Sequence, residues 1–73
     1  MKFKELKPKY NNLELYIDKK NFGILEVPQR VDFEFALYMY SERNVLYVEN
    51  HDFTEVTEVL IESEEEYLKR TKN

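Results

Sequence analysis

No cysteine occurs anywhere in this 73-residue chain, and that absence constrains how it can hold a fold. A chain this short sits near the lower limit of what one hydrophobic core can stabilise, and small domains commonly add disulfides or a metal bound by thiolates. With neither available, packing alone must supply the stability, and a single domain over residues 1–73 is expected. The material for its core is aromatic. Five Phe and six Tyr accompany a hydrophobic fraction of 42%, a composition that folds rather than stays disordered.

Apolar periodicity divides the chain into four strands and a helix, after one helical turn expected near residues 3–7. Residues 13–18 alternate, with Leu13, Leu15 and Ile17 on one face, and residues 22–27 return after a polar turn. A loop over residues 19–21, with Asn21 left-handed at its end, sets Leu15 opposite Leu25 and Leu13 opposite Val27. Pro28 cannot donate to a ladder, so it ends that strand or lies at an edge. Residues 31–40 alternate most regularly, Val31, Phe33, Phe35, Leu37 and Met39 against Asp32, Glu34, Ala36, Tyr38 and Tyr40. A turn at 41–44 leads to a fourth strand over 45–50. Pairing Tyr40 with Val45 sets Met39 against Leu46, Leu37 against Val48, and Tyr38 against Tyr47 on the other face.

Residues 53–71 read as a helix. At about 100° per residue, Phe53, Val56, Thr57, Leu60, Ile61, Tyr67 and Leu68 gather on one side, opposite Glu55, Glu58, Glu62, Glu65 and Glu66. Asp52-Phe53-Thr54-Glu55 matches a capping box, and Lys69, Arg70 and Lys72 suit the far end of the dipole. Ser63-Glu64-Glu65-Glu66 offers a second cap, which would leave residues 54–62 as a fifth strand. The predicted fold is therefore α+β: a four-stranded antiparallel meander sheet with a C-terminal amphipathic helix packed on one face. Phe33, Phe35, Leu37, Leu46, Val48 and Leu60 form its expected core.

Common catalytic sites find no support. His51 is the single histidine, which removes His-based metal clusters and the Ser-His-Asp triad, and it reads as a solvated turn residue. Gly23 is the single glycine, which removes Gly-rich phosphate loops. The expectation is a non-enzyme with no catalytic residue, cofactor or metal. Lys7, Pro8 and Lys9 follow the first residues where a signal peptide would place its apolar stretch, and no run approaches the roughly 18 apolar residues of a membrane span. The cytoplasm is the expected location, with no membrane partner.

Charge points to binding. The net charge is −4, but residues 1–30 hold seven Lys/Arg against four Asp/Glu, while residues 31–73 hold four against eleven. Between Glu49 and Glu66 lie eight acidic residues and no Lys or Arg, which disfavours nucleic acid binding there and favours a basic partner surface. Two contact surfaces are expected: the helical stripe Glu55, Glu58, Glu62, Glu65 and Glu66, and a sheet face bearing Tyr38, Tyr40 and Tyr47 alongside Tyr16. The lysines Lys2, Lys4, Lys7, Lys9, Lys19 and Lys20 offer a third reading, a small nucleic-acid binder.

The opening Met1-Lys2-Phe3-Lys4-Glu5-Leu6, the alternating residues 13–17 and Asn44-Val45-Leu46-Tyr47-Val48 resemble a pattern common among short proteins of bacteriophages and mobile elements. Among these are the anti-CRISPR inhibitors, many of which occupy nucleic-acid sites with carboxylate-rich surfaces. The resemblance implies a non-enzymatic inhibitor that binds a host protein or protein–nucleic-acid complex through a basic surface. The alternative is a small assembly protein that forms a homodimer or larger oligomer through the tyrosine face.

Overall fold

The computed structural model describes residues 1–19, 24–25 and 28–71. From the N-terminus the chain makes a 3-10 turn (Phe3–Glu5), β1 (Asn12–Lys19), β2 (Ile24–Leu25), β3 (Gln29–Asp32), α1 (Phe33–Tyr40), β4 (Val45–His51), β5 (Val56–Ile61) and α2 (Glu64–Thr71). The strands form one mixed sheet. β2 and β3 share one edge of β1, β5 runs parallel to β1 on the other, and β4 lies antiparallel beyond β5. The class is α+β, but the sheet is not the antiparallel meander that local periodicity predicts.

The difference begins at Asp32. Its side chain accepts a 2.8 Å hydrogen bond from the Phe35 amide, capping a helix where alternation predicts a strand to continue. Apolar residues fill this segment so densely that it satisfies both periods. As a helix it turns Phe33, Ala36, Leu37 and Tyr40 inward, at the i, i+3, i+4, i+7 spacing of one face. Ala36, the only alanine in the sequence, is fully buried, and its small side chain lets the helix approach its neighbours closely. Phe35, expected in the core, is 52% exposed on the outer side, and Met39 beside it is 51% exposed.

The second correction concerns residues 53–71, which form a strand and a short helix rather than one helix. Val56, Thr57, Val59 and Ile61 are β-branched and suit an extended chain. The consecutive Val59-Leu60-Ile61, which breaks simple alternation, fits a strand enclosed by two neighbours: Val59 and Ile61 are fully buried on one face while Leu60 lies between Tyr16 and Tyr47 on the other. The second cap is the one used. Ser63 Oγ accepts from the Glu66 amide at 3.1 Å, starting α2, and the Asp52-to-Glu55 segment is instead a tight turn with Glu55 at φ 56°. The C-terminal helix packs on the end of the sheet through Tyr67 and Arg70, but it is eight residues long and buries none of them fully.

Register changes accordingly. Leu13 pairs with Val31 and Leu15 with Gln29 across β1 and β3, while Asp18 pairs with Leu25 and Lys19 with Ile24 across β1 and β2. The expected Leu15–Leu25 pairing is thus wrong. Lys19 belongs to β1 rather than to a loop, and the expected roles of Asn21, Phe22 and Val27 lie outside the described residues. In β4 a bulge between Val45 and Tyr47 expels Leu46, which is 52% exposed, and lets Val45 and Val48 face the same side.

The core that results is Phe3, Leu6, Leu13, Leu15, Ala36, Val59 and Ile61, with Phe33, Leu37, Val45 and Val48 packed around it. Phe3 is fully buried and stacks on Phe33 at 5.7 Å between centroids. It is held there by the Phe3 amide donating to the Arg43 carbonyl and the Val45 amide to the Met1 carbonyl, both at 2.8 Å. The 3-10 turn and α1 therefore cover the same sheet face. Of the expected core, Phe33, Leu37 and Val48 take part, whereas Phe35 and Leu46 are exposed and Leu60 belongs to the opposite face.

Candidate functional site

Since Leu13, Leu15, Thr57, Val59 and Ile61 point into the core, the residues that alternate with them point away. Glu14 and Tyr16 of β1, Glu58 and Leu60 of β5, and Tyr47, Glu49 and His51 of β4 occupy this second face. Strand register places Glu14 beside Glu58, and Glu58 beside Glu49. Three carboxylates therefore form a row across three strands, within about 10 Å at the usual strand spacing. The next row is Tyr16, Leu60 and Tyr47. Across β3, Arg30 ends the carboxylate row beside Glu14.

His51 sits at one side of this row. Its Nε2 lies 3.0 Å from Glu58 Oε1 and its Nδ1 3.4 Å from Glu49 Oε2, so the ring bridges two carboxylates. It is a half-buried strand residue, not the solvated turn residue that its sequence neighbours suggest. The Tyr47 hydroxyl donates to Glu49 Oε1. That bond, then burial, then the charges of Glu49 and Glu58 push the Tyr47 phenol above its ordinary range. Burial, followed by Glu58 and Glu14, raises Tyr16. In both, the carboxylates of this face add to the rise.

The five glutamates of the expected stripe do not share a surface. Glu55 is exposed in the β4–β5 turn, Glu58 lies on the open sheet face, and Glu65 and Glu66 belong to α2, with Glu65 3.5 Å from Lys69. Glu62 is buried at 6% exposure. Its Oε2 accepts from the Asn44 amide at 2.8 Å and from Arg70 Nη2, and its Oε1 accepts from Arg70 Nε at 3.2 Å. Burial alone would raise this carboxyl, but Arg70, the Asn44 amide and Arg43 outweigh it and hold it below the ordinary carboxylate range. The group anchors α2: Arg70 also donates to the Glu42 carbonyl at 2.7 Å, and the Arg43 guanidinium lies over the rings of Tyr40 and Tyr67.

The tyrosines separate too. Tyr38 is 86% exposed on the outer side of α1 beside Phe35 and Met39, Tyr40 packs against the core, and Tyr47 lies on the open sheet face. Of the residues singled out from sequence, Glu58, Tyr47 and Tyr16 come together on the open face. Glu14, Glu49 and His51 were missed, although alternation within residues 13–18 and 45–50 already set Glu14 with Tyr16 and Tyr47 with Glu49.

No group of His, Cys, Asp and Glu among the described residues has the geometry to hold a metal ion, and none of their helices is long and apolar enough to cross a membrane. The clustered carboxylates can instead accept hydrogen bonds from cationic side chains, with the tyrosine rings beside them to receive a guanidinium or ammonium on their faces. No known protein family, curated protein or solved structure matches the chain.

Proposed function

We propose that the chain is a non-catalytic binding domain that docks its open sheet face on a Lys/Arg-rich surface of another protein. The observation that carries this reading is the row Glu14, Glu58 and Glu49, set directly across three strands. Like charges opposite one another in a sheet cost about 0.2–1 kcal/mol per pair, so stability alone favours a mixed row. Three adjoining carboxylates beside Tyr16, Leu60 and Tyr47 are what a basic partner recognises: carboxylates speed encounter and fix register, and the rings supply area. A groove that otherwise holds nucleic acid phosphates presents this basic chemistry. In its specific form the protein is an inhibitor, from a phage or mobile element, that occupies such a groove in a host nucleic-acid-handling complex.

Titration with an arginine nonapeptide, followed by amide chemical shifts at low and high salt, tests the face. Shifts should concentrate on Glu14, Tyr16, Tyr47, Glu49 and Glu58 and fade as salt rises. The triple variant Glu14→Gln, Glu49→Gln, Glu58→Gln should bind the peptide at least about tenfold more weakly. Unchanged affinity in that variant, or shifts confined to α2, would sink the proposal.

A further inference from the structure

At the end of β4 the chain turns sharply and presents Phe53 to solvent, 101% exposed, as open as in an extended peptide. The turn is held from both sides. Lys9 Nζ and the Tyr10 hydroxyl both donate to Asp52 Oδ1, at 2.8 and 2.6 Å. Thr57 Oγ1 donates to Asn50 Oδ1 at 2.7 Å and accepts from the Tyr10 amide at 3.2 Å. Glu55, next but one to Phe53, takes a left-handed φ of 56° that a non-glycine residue adopts only where its surroundings impose it. A large apolar ring on a fixed tip loses little freedom when it is buried in a partner.

Immediately beside this tip is a cleft of about 400 Å³, lined by Asn12, Glu14, Arg30, Asp32, Thr54 and Val56. Thr54 and Val56 belong to both the tip and the cleft wall. Arg30 makes no side-chain hydrogen bond or ion pair among the described residues, and neither does Glu55 at the tip. One patch thus carries a projecting ring, a cleft beside it, and an anion and a cation that make no side-chain hydrogen bond or ion pair among the described residues. A two-fold interface requires that combination, because each copy must present both halves of every contact.

We propose that two copies of the chain associate through this patch, Phe53 of each seated in the cleft of the other and Glu55 facing the partner copy's Arg30. The pairing does not rest on the acidic-face reading: Glu14 borders both surfaces, but the contacts proposed here are made by Phe53, Glu55 and Arg30. Sedimentation equilibrium between about 10 µM and about 1 mM, where interfaces of small area dissociate, should show a monomer–dimer equilibrium. Phe53→Ser should weaken it at least about tenfold while leaving circular dichroism unchanged, because the ring makes no core contact. Arg30→Glu and Glu55→Arg should each weaken dimerisation, and the two combined should restore it. A wild type that stays monomeric overturns the proposal. So does a dimer indifferent to Phe53→Ser, which would place the contact on another surface such as the outer side of α1. A double charge variant no better than the single ones overturns the Glu55–Arg30 pairing.

Discussion

Removing the buried Glu62 carboxylate leaves the Asn44 amide without its acceptor and leaves Arg70, whose side chain is partly exposed, with only the Glu42 carbonyl. Glu62→Ala should therefore cost about 1–3 kcal/mol in urea unfolding, the loss of hydrogen bonds to a charged, buried acceptor, more than loss of a surface charge. Leu15→Ala removes a side chain 1% exposed at the centre of the sheet and should cost about 2–5 kcal/mol. Phe35→Ala, on the outer side of α1, should cost about 1 kcal/mol or less, and a larger loss would contradict the helix. Glu42 contributes on the acid side, with Asp52 and Glu62, which are also held down. Hydrogen bonds from Lys4 and Lys2 hold the Glu42 carboxyl down from 4.5 to about 2. Its stabilisation is present above the unfolded carboxylate's pKa and is lost as pH falls from 4.5 towards 2. Melting temperature followed across that range should decline, and the decline should be shallower in Glu42→Gln.

The two helices are both eight residues long, too short to persist without support, yet they depend on their surroundings differently. α1 covers the core, so Asp32→Ala, which removes its cap, should lower global stability by about 1 kcal/mol. α2 buries no residue fully, so Ser63→Ala should speed amide exchange within Glu64–Thr71 and leave the sheet's protection unchanged. The cap at Asp32 was the local signal for α1. It was hidden because residues 33–40 are apolar at both the helical and the extended period, and only the sheet's need for cover chooses between them. Residues 13–18 and 45–50 were legible because their polar positions leave a single period. The open face was half legible: alternation paired Tyr47 with Glu49, but joining Glu14, Glu58 and Glu49 requires the β1–β5 register, which no neighbouring residue specifies.

Taken whole, the molecule extends 41 × 25 × 17 Å. With layers spaced about 10 Å apart, the smallest dimension holds the sheet and one covering layer, which is why the opposite face stays open. The central place of β5 also sets the order in which the fold can be completed. β1 reaches its parallel neighbour only across more than forty intervening residues, Leu13 to Thr57, and β4 joins the sheet only through β5. Until residues 56–61 are in place, the early hairpin and β4 share no ladder, so little of the structure can form piecemeal. Stopped-flow refolding should be a single phase in the millisecond-to-second range of non-local topologies, not the microsecond range of helical bundles. During synthesis the chain should likewise remain open to proteases until β5, Val56–Ile61, is available to pair, and then close in one step.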